Sequence, residues 1–191
     1  MLEGQTVGRG RERAPEHAPI GKVSFESDKL KENLEAFMED FRKVSANNRH
    51  AAEIDELSTS IENLRPNHDV PDLRMESTSG EMVNLRDIAG EGPVVFYFWS
   101  GPQQKHLANI TRRVRSHHDK YEGYRFVGIC LRTERDQWKR LIKTYGLESD
   151  NQYWAADFEE FAHKLVVYHP YKSILARDGK IVDGFANLNS S

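Results

Sequence analysis

Residues 94–98 read Val-Val-Phe-Tyr-Phe, an unbroken apolar run entered through Gly92-Pro93 and left through Trp99-Ser100-Gly101-Pro102. A strand with one wet face alternates apolar and polar residues, so a run without alternation predicts a central strand covered on both faces. That element commits the chain to a layered α/β domain. A second run, Arg125 to Leu131 (RFVGICL), predicts a strand of the same kind. Between them Leu107, Ile110, Val114 and Tyr121 mark the buried side of a helix of about five turns.

Downstream, Thr133-Glu134-Arg135-Asp136 has the spacing of a capping box, opening a helix that turns Trp138, Leu141, Ile142 and Tyr145 inward and ends at Gly146. A further helix carries Phe158, Phe161 and Leu165. After His169-Pro170, YKSILARDGKIVDGF predicts two strands joined by Asp178-Gly179 as a hairpin turn. A βαβ half followed by a ββ half gives a mixed sheet with helices on both faces.

Upstream, Leu30, Leu34, Phe37, Phe41 and Val44 form one helical stripe, with Ser27 or Asp28 as N-cap, and Ile54, Leu57, Ile61 and Leu64 form a second one out of phase with it. The break at SANNRH makes these a helical pair. The stripes fit a dimerising coiled coil, a face packed on the downstream domain, or the end of a missing domain, so self-association through residues 27–65 stands as one expectation. Pro66 and NHDVPD end the pair, and LRMESTSGEMVNLRDI then predicts a short hairpin turning at Thr78-Ser79-Gly80. Three segments result: residues 1–24 as a disordered tail or expression remnant, 25–66 as the helical segment, and 67–191 as the α/β domain.

A net charge of -3 over 191 residues supplies no field for nucleic acid or anionic lipid. The basic stretch RRVRSHHDK at 112–120 has no aromatic interleaving and reads as a solvated helix face, so no nucleic-acid partner is expected. No run reaches the length of a membrane span, and the first residues lack the build of a secretory leader. The single cysteine, Cys130, rules out an intramolecular disulfide.

Together, Val70-Pro71-Asp72, SGEMVNLRDIAG, PVVFYFW, RFVGICL, DQWKRLIKTYGL and HPYKSILARDGKIV, in this order, resemble the thioredoxin-like family. The likeness is to its exported, membrane-tethered thiol-oxidoreductases, the TlpA and ResA group, which overlaps the alkyl hydroperoxide reductase and thiol-specific antioxidant (AhpC/TSA) group. FYFWS with QKH also resembles cysteine-less members in Bacteroidetes-like bacteria. The resemblance covers about residues 70–188 and implies a thioredoxin-like α/β fold, a cis-proline at Pro170, and a bacterial cell-envelope or periplasmic location if a leader precedes this chain, a cytoplasmic one otherwise.

In that family the apolar strand and its Phe-Trp lead to Cys-x-x-Cys at the start of the next helix. Here the motif is replaced, in one of two registers: Ser100-Gly101-Pro102-Gln103, or Gln103-Gln104-Lys105-His106, which needs no deletion. Capping chemistry offers Ser100 as a helix N-cap with Gln103 at the capping-box position, whereas helix length favours the second register. Disulfide exchange needs an attacking thiolate and a resolving thiol, and neither register supplies one.

The degenerate site leads to a thioredoxin-like module that holds a protein or extended peptide in a groove of Trp99, Gln103, His106, His169 and Pro170, without catalysis and without a cofactor. The alternative is a thiol-dependent oxidoreductase or antioxidant protein using Cys130 or a partner's thiols. Cys130 itself, near the end of a core strand, reads as a small buried hydrophobe. His106 and His169 would begin a metal site, but no third ligand joins them, since His163 and Asp157 belong to another element, and no metal is expected.

Overall fold

A computed structural model describes residues 31–36, 38–39, 48–118 and 123–188 of the chain. The expected tail, most of the first apolar stripe and Tyr121 lie outside the described residues. Residues 31–36 and 38–39 are helical (α1), followed by α2 (Asn48–Asn63). The hairpin strands β1 (Arg74–Ser77) and β2 (Met82–Asn84) lead into the short α3 (Leu85–Gly90), whose N-cap Asn84 accepts from the amide of Arg86. Then come β3 (Val94–Trp99), α4 (Gln104–His118), β4 (Arg125–Cys130), α5 (Arg135–Tyr145), β5 (Gln152–Trp154), α6 (Phe158–Leu165), β6 (Ser173–Arg177) and β7 (Lys180–Ala186).

The strands form one seven-stranded sheet in the order β2-β1-β5-β4-β3-β6-β7. β3, β4 and β5 run parallel, and β6, β7, β1 and β2 add antiparallel wings. All six residues of β3 are buried because both faces are covered. Val94, Phe96 and Phe98 enter a core shared with α2, α3 and α6, while Val95, Tyr97 and Trp99 enter a second core under α4 and α5. This is the physical origin of the unbroken apolar run.

Ile54 and Ile61 of α2 and Leu64 just after it are buried in the first of these cores, together with Phe161 and Leu165 of α6. The backbone of Leu64 lies so close to β7 that a Cβ on Gly184 would stand 2.2 Å from the Leu64 carbonyl oxygen. The β6–β7 turn forms at Asp178-Gly179, both with positive φ, as its hairpin geometry requires. Gly146 closes α5 in the left-handed conformation.

The capping box expected at Thr133 does not form. α5 starts one residue late for it, with Glu134 as N-cap and no side-chain cap bond. Thr133 Oγ1 instead accepts from the amide of Gly101 at 2.7 Å and donates to the carbonyl of Leu131 at 2.8 Å, tying the entry of α5 to the turn after β3.

Candidate functional site

The turn after β3 is tight. The amide of Gln103 bonds the Ser100 carbonyl at 3.2 Å, and the first helical bond of α4 runs from the Leu107 amide to the Gln103 carbonyl at 3.0 Å. Gln103 therefore holds the cap position and α4 begins at Gln104. Ser100 does not act as the expected N-cap: it is buried three residues too early, inside the turn. Gln103, Gln104 and Lys105 are exposed at the helix start, and His106 points inward.

His106 is buried, and its Nε2 lies 3.1 Å from the Phe98 carbonyl. A carbonyl only accepts, so Nε2 donates to it, while Nδ1 has no partner among the described residues. Over this imidazole stands Tyr171, edge-on. The loop before β6 thus reaches the start of α4 through Tyr171, with His169 and Tyr171 exposed beside it and Pro170 half-buried.

Two expectations about the groove are corrected. Trp99 does not line it: the ring is fully buried under α4 and α5, and its Nε1 donates to Oε1 of Gln152 at 3.1 Å. Trp99 ends a strand whose odd-numbered positions face that core, which takes its side chain away from the loop. Nor is there a cis-proline: the chain contains no cis peptide bond among the described residues, so His169-Pro170 is trans. The reversal into β6 is made instead by Val166, which holds the left-handed conformation at the end of α6, and by a turn over residues 168–171. The trans form is the ordinary preference of an X-Pro bond.

Cys130 ends β4 beside Trp99 in the parallel ladder and is fully buried. Burial pushes its thiol up to about 12, against a smaller lowering from a hydrogen bond with Thr133. At neutral pH it is a thiol and not a nucleophilic thiolate. His106, His169 and Cys130 come from separate elements, and no group of three or more His, Cys, Asp or Glu side chains among the described residues is arranged to hold a metal ion.

Sequence reasoning missed Tyr171 and Lys172. The ammonium of Lys172 donates to the Leu165 carbonyl at the end of α6 and lies 4.0 Å from the centre of the Phe185 ring. Burial of that ammonium pushes its pKa well below the usual lysine value. The available signal was the pattern HPYK, which puts an aromatic and a cation directly after the loop proline. The basic stretch of α4 spends its donors at home: Arg113 bonds the Leu188 carbonyl and Arg115 the carbonyls of Tyr145 and Gly146.

Among the described residues, no helix is long and apolar enough to cross a membrane. No family model matches the sequence, and no curated protein matches it. Solved structures do. The thioredoxin domain of a thiol-disulfide oxidoreductase from Bacteroides vulgatus superposes with a TM-score of 0.54 at 19% identity, over 62% of this chain and 86% of that one. A thiol:disulfide interchange protein from Bacteroides sp. gives a TM-score of 0.52 at 21% identity, over 63% and 81%. With the mixed sheet, the two helical layers and the turn-to-helix passage after β3, this likeness gives the chain a thioredoxin-like fold, carried here by a sequence whose one cysteine leaves no dithiol pair.

Proposed function

We propose that this protein is a thioredoxin-like module that binds an extended peptide or protein segment across the Gln103–His106 turn and the His169–Tyr171 loop, without thiol catalysis. The observation that supports this reading is the lack of a second cysteine, with Cys130 sealed in the core, beside a turn where Gln103 is exposed and the buried His106 stands against Tyr171. Tyr171, 53% exposed, offers an aromatic anchor of the kind that dominates binding surfaces. A cell-envelope location belongs to the same proposal and rests on the resemblance to exported thioredoxin-like proteins. Self-association through residues 27–65 would have to use the flanks of the helical segment that Ile54, Ile61 and Leu64 do not bury in the core.

The test is selection of ten-residue peptides on the intact protein, followed by affinity measurement on variants. Pro170→Arg and Tyr171→Ala weaken the selected peptides by at least about tenfold, the scale of one lost anchor contact, while Glu62→Arg on α2 leaves them unchanged. Equal affinity across all of these overturns the groove. Turnover of insulin disulfides that Cys130→Ser abolishes would favour the thiol-dependent alternative instead.

A further inference from the structure

Gln152 is 2% exposed and lies between two aromatic side chains of β3. Its Oε1 accepts from Trp99 Nε1 at 3.1 Å and its Nε2 donates to the Tyr97 hydroxyl oxygen at 2.8 Å. The order of this chain is fixed by chemistry. An indole is a donor only, so the amide must turn its oxygen to Trp99 and its nitrogen to Tyr97. The phenol is thereby an acceptor towards Gln152, and its own hydrogen has no acceptor among the described residues.

The arrangement is built into the sheet. A Cβ on Gly128 of β4 would stand 2.3 Å from Gln152 Oε1 and 2.7 Å from the Tyr97 hydroxyl, so the network occupies the space that any other residue would fill. Burial pushes Tyr97 up to about 12, which keeps its proton in place across the neutral range. A buried hydroxyl donor left without a partner is unfavourable, and a ligand acceptor relieves it.

Tyr97 and Gln152 form the floor of a cleft of about 350 Å3 between α4 and the segment joining α5 to β5. Its walls include Val114, Phe126 and Leu147, and Thr111 at the floor already donates to the Leu107 carbonyl. The cleft sits about two turns along α4 from Gln104 and so is separate from the Tyr171 groove. Its volume is at the small end of ligand pockets. The floor offers a donor beside the apolar side chains of Val114, Phe126 and Leu147, with Arg115, Glu148 and Asn151 making up the polar part of the lining. The negative charge of Glu148 in the lining disfavours a second negative charge at the phenol, while Arg115, through Nη2, donates to two main-chain carbonyls.

We infer that this cleft binds a small uncharged carbonyl compound, an amide or ketone with an apolar body, whose oxygen accepts a hydrogen bond from the Tyr97 hydroxyl.

Benzamide is the probe, followed by chemical-shift titration of the isotopically labelled protein. Saturable shifts at Gln152, Val114 and Leu147 are expected, with toluene and benzoate each weaker by about tenfold, the value of one hydrogen bond to a buried donor. Tyr97→Phe reduces benzamide to the level of toluene. Val114→Trp fills the cleft from its wall, leaves the Trp99–Gln152–Tyr97 chain intact, and abolishes the shifts; it decides the matter if Tyr97→Phe fails to fold. Absence of saturable benzamide shifts, equal binding of benzamide and toluene, or undiminished shifts in Val114→Trp would each overturn the site.

Discussion

Tyr171 stands edge-on to His106, ring centroids 4.8 Å apart at 74°, and so couples the loop before β6 to the first turn of α4. The aromatic ring of the loop thereby covers the imidazole of the helix start. Removing the ring by Tyr171→Ala should convert His106 from a side chain unreactive towards diethyl pyrocarbonate into one that reacts at a rate approaching exposed His169. Mass spectrometry of the two sites measures this directly. A His106 that stays protected would show that the α4 turn, and not Tyr171, shields it.

Cys130 should behave as a core residue. With its pKa raised from 9.0 to about 12 by burial, the thiolate fraction near neutral pH falls about a thousandfold. Alkylation of the native protein should be slower than in denaturant by at least that factor, unless global unfolding sets the rate. A native rate equal to the denatured one would place the thiol outside the core.

The same burial predicts the alkaline limb of stability. Cys130 ionises near 9.0 when unfolded and Tyr97 near 10.0, yet both rise to about 12 in the fold. Above pH 9 the native state therefore holds protons that the unfolded state has lost, so stability is intact below pH 9 and falls as pH rises towards 12. Each group contributes on the order of 1.4 kcal/mol per pH unit inside its window. Urea midpoints between pH 8 and 11 measure the slope, and Cys130→Ala should shallow it. An unchanged slope in that variant would assign the effect to Tyr97 and other groups.

Gly128 tests the buried network separately from any ligand. Gly128→Ala drives a methyl group into Gln152 and Tyr97 and should cost several kcal/mol, in the range of an overpacked core combined with a broken polar cluster. Because the obstruction is the Gln152 amide and the Tyr97 ring, the double variant Gly128→Ala/Gln152→Ala should lose less than the sum of the two single changes. Additive losses would mean that the strands move apart to make room.

Much of this architecture is legible in the residues because long apolar runs and turn dipeptides are local signals. Val94–Trp99 shows its double burial directly, and Asp178-Gly179 announces its hairpin. β5 is not legible: Gln152, Tyr153 and Trp154 are too few to show a period, and the first of them looks polar although it is among the most buried side chains. The site was legible only as a position. That helix α4 follows the Trp99 turn could be read, but the burial of Trp99, the trans Pro170 and the capping of His106 by Tyr171 depend on which face each side chain takes once distant strands pair.

The contact between Leu64 and Gly184 bears on the role of the helical segment. Leu64, Ile61 and Ile54 are packed with Phe161 and Leu165 in the core beneath β3, so the apolar stripe of α2 is committed within the chain. Cutting the chain before Asn67 should expose that core and remove three aliphatic side chains, each worth about 2–5 kcal/mol when truncated in a core. That loss rivals the whole stability of an ordinary domain. The shortened protein should therefore lose cooperative unfolding and bind a hydrophobic dye, as circular dichroism and dye fluorescence would report. Gly184→Ala should act in the same direction more mildly, by pressing a methyl group against the Leu64 carbonyl. A shortened chain that melts cooperatively near the temperature of the full one would instead make the helical segment an appendage, free to serve assembly.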